Sequence, residues 1–154
     1  MVKFHSSVIF VKDINKSKNF YMNLLNQEIE HDFNTNIIFK NGLSIWQINP
    51  SHIIPQKVDI IKHSSRMELY FETTDIVDSL CMLEDADVQF LHKINEEPWG
   101  QLNIRFLDPD GHLIEIGETL ETFVNRMKKE GMTEAEIAAK SGIPEETLSK
   151  LLKT

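Results

Sequence analysis

The sequence predicts an α+β fold of two paired β-α-β-β-β modules, followed by a C-terminal helical extension. Three observations predict it. Strand-like and helix-like segments follow one another twice in the same order, landmark residues recur at similar spacings, and the residues after Glu118 show helical patterns alone. We expect modules at about residues 1–49 and 66–118, which form one domain at 1–118, with the extension at 119–154.

The first module begins with an apolar, β-branched segment at 8–14, which is typical of a strand. Apolar residues then recur at helical spacing over 15–25, and we expect Asp13 or Asn15 to cap this helix. The Asn41-Gly42 pair predicts a two-residue hairpin turn between the last two strands of the module. The remaining strand candidates are residues 27–33, 35–40 and 43–49.

The second module repeats this order of elements. Asp75-Ile76 recurs 62 residues after Asp13-Ile14, and Gly111 recurs 69 residues after Gly42. Between the modules, residues 49–65 contain two prolines and little periodicity, so we expect a loop. The predicted elements are strands at 68–76, 88–94, 102–108 and 112–118, with a helix at 77–86.

Composition and charge exclude several classes of protein. Residues 1–118 hold 10 Lys and Arg against 18 Asp and Glu, so this region would repel nucleic-acid phosphates. The apolar runs are too short to cross a bilayer, and the N-terminus has no signal-peptide pattern, so we expect no membrane contact and a cytoplasmic location. Cys81 is the only cysteine, which excludes an intramolecular disulfide, and we expect it to be buried in its helix.

Three segments carry a resemblance to a known family: VKDINKSKNFYMNLL, ELYFETTDI and, most specifically, FLDPDGHLIEIGE. Together they resemble the vicinal-oxygen-chelate superfamily over about residues 4–118. This superfamily includes glyoxalase I, extradiol dioxygenases, fosfomycin-resistance enzymes and bleomycin-binding proteins. The resemblance implies curved sheets that enclose a cavity for a small organic molecule, and a homodimer.

The resemblance also implies four inward-facing residues, usually His or Glu, that bind iron, manganese, nickel or zinc. Counting from the landmarks of the repeat places Ser6, Trp46, Glu68 and Glu115 at these positions. Serine is a weak ligand and an indole offers no lone pair, so we expect a degenerate site without a metal cofactor. The alternative is a divalent-metal-dependent lyase, isomerase or dioxygenase that uses Glu68, Glu115 and His5, although strand alternation places His5 opposite Ser6.

A metal-free site would depend on Arg105. Alternation in the strand at 102–108 places Gln101, Asn103 and Arg105 on the cavity side, where Arg105 would neutralise Glu68 and Glu115. An internal salt bridge without chemistry is the other interpretation. The candidate catalytic residues are Glu68 or Glu115 as general base and Arg105 as cation, in a metal-independent lyase or isomerase; binding without turnover fits equally. The candidate substrate-binding residues are Ser6, Trp46, Trp99, Gln101 and Asn103.

The extension is predicted to hold three helices, with Thr133 capping the second and Pro144 near the start of the third. Its apolar spacing resembles a helix-turn-helix, so a second alternative is a ligand-responsive DNA-binding protein. Two glutamates open the would-be recognition helix, however, and we expect packing against the domain or a dimer partner instead. The first helix should bury Leu120, Phe123, Val124 and Met127, and the basic residues available for DNA are Lys140, Lys150 and Lys153.

Overall fold

The computed structural model describes residues 5–57 and 67–152 and divides the chain into two compact units. The first unit extends to Met67 and includes the turn Asp108–His112; the second comprises Glu68–Leu107 and Leu113 onward. Each unit holds a four-stranded mixed sheet with helices, and three helices follow the second sheet. The predicted α+β fold with paired modules is therefore confirmed.

The first sheet has the strand order β1-β4-β3-β2, in which β1 and β4 are parallel and the other pairs antiparallel. Its helix α1 is capped by Asp13, whose Oδ1 accepts hydrogen bonds from the amides of Asn15 and Lys16. The elements are β1 (Ser7–Phe10), α1 (Ile14–Asn19), β2 (Ile29–Asp32), β3 (Asn36–Phe39), β4 (Leu43–Trp46) and α2 (Ile53–Lys57).

A π-helical turn, Phe20–Leu24, continues α1. The amide of Leu25 donates to the carbonyl of Phe20 at 3.3 Å, a spacing of five residues that rotates the following side chains. Tyr21 is fully buried, four residues after the buried Ser17, whereas Phe20 and Leu24 are only half-buried.

Two local predictions in the first unit are wrong. The hairpin between β3 and β4 has three loop residues, 40–42, because only Gly42 adopts a positive φ, of 86°. The linker is not wholly a loop, since its described part contains α2; residues 58–66 lie outside the described residues.

The second sheet repeats the topology with the order β5-β8-β7-β6, and Asp75 caps its helix as Asp13 caps α1. Leu83 of that helix is fully buried, as are Ile104, Phe106 and Ile114 on the sheet. Cys81 is exposed, contrary to expectation, because it lies on the outer face of this helix. The elements are β5 (Glu68–Thr73), α3 (Ile76–Asp85), β6 (Gln89–Glu96), β7 (Leu102–Leu107) and β8 (Leu113–Glu118).

The three C-terminal helices are α4 (Leu120–Lys129), α5 (Glu134–Ser141) and α6 (Glu145–Leu151). Thr133 caps α5 and Pro144 precedes α6, as predicted. Glu136 completes a reciprocal capping box with Thr133. Leu120 is 39% exposed, so it does not join the buried face. The helices share a buried cluster of Phe123, Val124, Met127, Ile137 and Leu148. None of the described helices is both long and apolar enough to traverse a membrane.

Candidate functional site

The second sheet has one apolar and one polar face, because side chains alternate along its strands. Sheet register pairs Glu115 with both Tyr70 and Arg105, and Asn103 with Gly117. Laterally paired residues share a face, so Glu68, Tyr70, Asn103, Arg105 and Glu115 lie together on the face opposite α3. Asn103 and Arg105 thus lie on the opposite face from Ile104 and Phe106, as strand alternation predicts, and the ligand cavity on their side stays a prediction.

Arg105 is at the centre of this face, and each of its three guanidinium nitrogens contacts a different glutamate. Nε donates to Glu68 at 2.9 Å and Nη1 donates to Glu97 at 2.6 Å, while Nη2 forms an ion pair with Glu115. Only 5% of the Glu115 side chain is exposed, and 23% of the Arg105 side chain. The planar donor fork of arginine suits such multiple carboxylate contacts.

Glu97, which the sequence did not identify as a site residue, completes the cluster from the loop after β6. Its Oε1 accepts from Arg105 and, at 2.7 Å, from Nδ2 of Asn103. The same Asn103 amide donates to Oε1 of Glu115 at 3.1 Å. Asn103 therefore ties two carboxylates together, and it is itself fully buried.

The pKa values of Glu115 and Glu97 in this cluster are shifted in opposite directions. Burial raises the pKa of Glu115, and its hydrogen bond with Glu68 raises it further. The hydrogen bonds from Arg105 and Asn103 lower the pKa of Glu97. Burial alone would lower the pKa of Arg105, but its glutamate partners outweigh this and hold the pKa above its ordinary value. Glu115 therefore holds a proton to higher pH than Glu97 does.

Trp99 and Gln101 form the rim of this face rather than part of the carboxylate cluster. The Trp99 indole donates to Oε1 of Gln101 at 3.2 Å, and the residue is 41% exposed. Gln101 in turn donates to the Tyr70 hydroxyl at 3.0 Å and to the Glu118 carbonyl at 2.7 Å. Both side chains are fixed beside the cluster, and their contact with a ligand stays a prediction.

In the first unit, His5 is exposed, Ser6 is half-buried before β1, and Trp46 packs against Phe10 and His52 at ring distances of 5.9 and 5.3 Å. Their roles in ligand or metal binding stay predictions.

Sheet register corrects one counted correspondence of the repeat. In the second sheet, Glu115 pairs with Tyr70. The helix caps Asp13 and Asp75 are 62 residues apart, so the residue of the first module equivalent to Tyr70 is Val8. In the first sheet, Val8 pairs with Ser44. Ser44 rather than Trp46 therefore stands where the second module has Glu115. The error arose because the loop between β7 and β8 spans residues 108–112, whereas that between β3 and β4 spans only 40–42.

Three buried polar atoms lack a hydrogen-bond partner among the described residues: Oδ1 of Asn36, Oγ of Ser44 and Oδ1 of Asn103. Asn36 and Asn103 are equivalent in the repeat, since they pair with Trp46 and Gly117 at matching sheet positions. An unsatisfied buried acceptor costs about 1–3 kcal/mol, so such atoms are typical of places where a water or a ligand supplies the donor.

The residues at the positions that the resemblance assigns to a metal do not fit a tightly held divalent ion. Ser6 and Ser44 are weak ligands, and the carboxylates of Glu68 and Glu115 already bind the Arg105 guanidinium. A metal ion would compete with this cation for the same oxygens. Within residues 5–57 and 67–152, no three His, Cys, Asp or Glu side chains are arranged to hold a metal.

Paired β-α-β-β-β units with a polar face on one sheet define the class of the protein as the vicinal-oxygen-chelate superfamily. The model of the Glyoxalase-like domain matches residues 4–121, and the chain belongs to this family. Membership supports a small-molecule-binding function at the level of the superfamily. A comparison with curated proteins found no match.

Solved structures agree with this assignment. A protein of unknown function from Agrobacterium tumefaciens str. C58 is 34% identical with a TM-score of 0.69, over 78% of this chain and 96% of that one. A lactoylglutathione lyase from Agrobacterium tumefaciens is 18% identical with a TM-score of 0.55, over 76% and 93%. A glyoxalase/bleomycin resistance protein/dioxygenase from Nocardioides is 18% identical with a TM-score of 0.58, over 77% and 83%. The last two show similarity of fold alone.

Proposed function

We propose that this chain binds a small organic molecule on the polar face of its second sheet, without a tightly held metal ion. One observation carries the proposal: the Arg105 guanidinium contacts Glu68 and Glu115, the two carboxylates that remain at the family's metal positions. Arg105 provides the positive charge that a divalent ion provides in metal-dependent members.

The same geometry supports proton transfer from a carbon next to a carbonyl group. A buried carboxylate with a raised pKa is a stronger base than an exposed one, and this describes Glu115. Arg105 would stabilise the negative charge that develops on the carbonyl oxygen. If the bound molecule is such a carbon acid, we propose a metal-independent isomerase or lyase with Glu115 as base.

Metal analysis tests the first part of the proposal. Protein purified without chelator should contain iron, manganese, nickel or zinc far below one ion per chain. One equivalent of any of these would favour the alternative site of Glu68, Glu115 and His5. It would require Arg105 to leave both glutamates.

Ligand binding tests the second part. We expect NMR screening against small aromatic and carbonyl compounds to shift amide signals of β5, β7 and β8. Arg105→Gln should abolish these shifts. Lys93→Gln is the matched control, because Lys93 lies on β6 of the same sheet and forms an exposed ion pair with Glu84 of α3. Shifts that survive in Arg105→Gln would refute the site.

The DNA-binding alternative gains no support from the charges of the tail. Lys140 pairs with Glu96 and Lys150 with Glu146, while Lys153 lies outside the described residues. A homodimer, common in the superfamily, stays a prediction that sedimentation would test.

A further inference from the structure

The C-terminal helices contact the loop that carries Glu97. The family model ends at residue 121, so most of α4 and all of α5 and α6 lie beyond the matched domain. Gly100, in the middle of this loop, faces them: a Cβ atom there would meet Met127 at 3.0 Å, Lys140 at 3.2 Å and Phe123 at 3.3 Å. Its φ of 100° is a further reason for glycine.

Arg126 of α4 makes the polar part of this contact. Its Nη2 donates to the Gly100 carbonyl at 2.6 Å, and its Nε and Nη2 hold the two carboxylate oxygens of Glu118 at 2.9 Å each. The Glu118 side chain is only 3% exposed. A bidentate arginine–carboxylate pair of this kind fixes geometry as well as charge.

From Glu118 and Gly100 the contacts continue to Glu97. Oε2 of Glu118 accepts the amide of Leu102 at 2.9 Å, which fixes the start of β7. The Gly100 amide donates to the Glu97 carbonyl at 2.7 Å, and the Glu97 amide donates to the Gln101 carbonyl at 2.9 Å. The backbone of Glu97 is thus held at both its polar groups while its side chain binds Arg105.

We propose that Arg126 is a positioning residue: it fixes the 97–101 loop so that Glu97 holds the Arg105 guanidinium and Asn103 in their binding geometry. A residue from outside the family domain thereby becomes part of the small-molecule site. This inference rests on the proposed function for its importance, but the positioning itself is measurable without any ligand.

The test compares Arg126→Met with Glu130→Gln in the full chain. Glu130 binds Nη1 of the same arginine at 2.9 Å on the exposed side, so its removal leaves the Glu118 and Gly100 contacts intact. Arg126→Lys, which keeps a charge beside Glu118 but loses the second donor, replaces Arg126→Met if that variant fails to fold.

We expect the amides of Glu97, Gly100 and Leu102 to exchange about tenfold faster with solvent in the Arg126 variant, because their hydrogen bonds lose support. We also expect the Arg105 guanidinium NMR signals to shift. Glu130→Gln should change neither. Unchanged exchange, or faster exchange with unshifted Arg105 signals, would overturn the proposal. If both change but no screened compound binds the unaltered protein, the positioning holds and the proposed function fails.

Discussion

Arg105 donates from Nε to Glu68 at 2.9 Å, so a carboxylate that the resemblance assigns to a metal ion binds a side-chain cation. We predict that Arg105→Met lowers the free energy of unfolding by about 1–3 kcal/mol at neutral pH, since it leaves Glu68, Glu97 and Glu115 without their shared partner. The variant should also bind nickel or zinc roughly tenfold or more tightly than the unaltered protein, because the competing positive charge is gone.

Chemical denaturation and metal titration measure the two effects. Lys93→Met serves as the control, because it removes a positive charge of the same sheet that forms an exposed ion pair with Glu84 of α3. The predicted role of Arg105 is contradicted if both variants lose equally little stability, or if neither gains metal affinity.

Glu115 gives the second prediction, on pH dependence. Burial and the Glu68 hydrogen bond raise its folded pKa above the ordinary value of 4.5. A raised folded pKa means that stability is greatest below the ordinary value and falls as pH rises through the folded pKa. Glu115→Gln imitates the protonated form, so its stability relative to the unaltered protein should increase as pH rises from 4.5. A stability difference that stays flat from pH 4 to 8 would argue against a raised pKa.

Much of this site was predictable from strand alternation. The two-residue period placed Asn103 and Arg105 on the opposite face from Ile104 and Phe106, and the structure agrees. Alternation depends only on the backbone of the strand, so it can be predicted without knowing which residues the side chains contact.

Glu97 was not predictable in the same way. It lies after β6 in a loop, where no period relates sequence to direction. Its carbonyl accepts the amide of Gly100, and the carbonyl of Gly100 in turn accepts from Arg126, 26 residues further along the chain. The predicted equivalence of Trp46 and Glu115 was wrong for a related reason, because counting from Gly42 assumed hairpin loops of equal length. The two loops differ by two residues, so the residue equivalent to Glu115 is Ser44, two positions before Trp46 and on the same face of the strand.

The turn Asp108–His112 gives a third prediction. The Tyr21 hydroxyl donates to Oδ2 of Asp108 at 2.9 Å, and Nδ1 of His112 lies 2.8 Å from the same oxygen. Burial raises the pKa of Asp108, but His112 outweighs this and the net shift is downward. Burial likewise lowers the pKa of His112, and Asp108 outweighs it, so that pKa is raised.

The two shifts define a pH window. Stability from Asp108 is present above its ordinary pKa of 3.8 and is lost as pH falls through the folded value. Stability from His112 is present below its ordinary pKa of 6.5 and is lost as pH rises through its folded value.

His112→Gln should therefore cost about 1 kcal/mol of unfolding free energy between these limits and progressively less above them. Tyr21→Phe should cost about 1–2 kcal/mol with no such decline from pH 5 to 9, since the phenol does not titrate there. Parallel profiles for the two variants would contradict the ion pair.

Gly117 gives the last prediction, a steric one. A Cβ atom there would lie 2.9 Å from the Tyr70 hydroxyl, 3.0 Å from its ring and 3.1 Å from Nε2 of Gln101. Gly117 is not among the residues with positive φ, so alanine meets only these side chains and no backbone strain. We predict that Gly117→Ala costs about 1–2 kcal/mol of unfolding free energy, because Tyr70 must move off β8 and lose the Gln101 hydrogen bond. In a Tyr70→Ala background the same substitution should cost clearly less, since the two closest contacts are absent and only that with Gln101 at 3.1 Å remains. A double-mutant cycle measures this difference. If the losses of unfolding free energy from the two substitutions are additive, the Tyr70 side chain is not the reason for glycine at position 117.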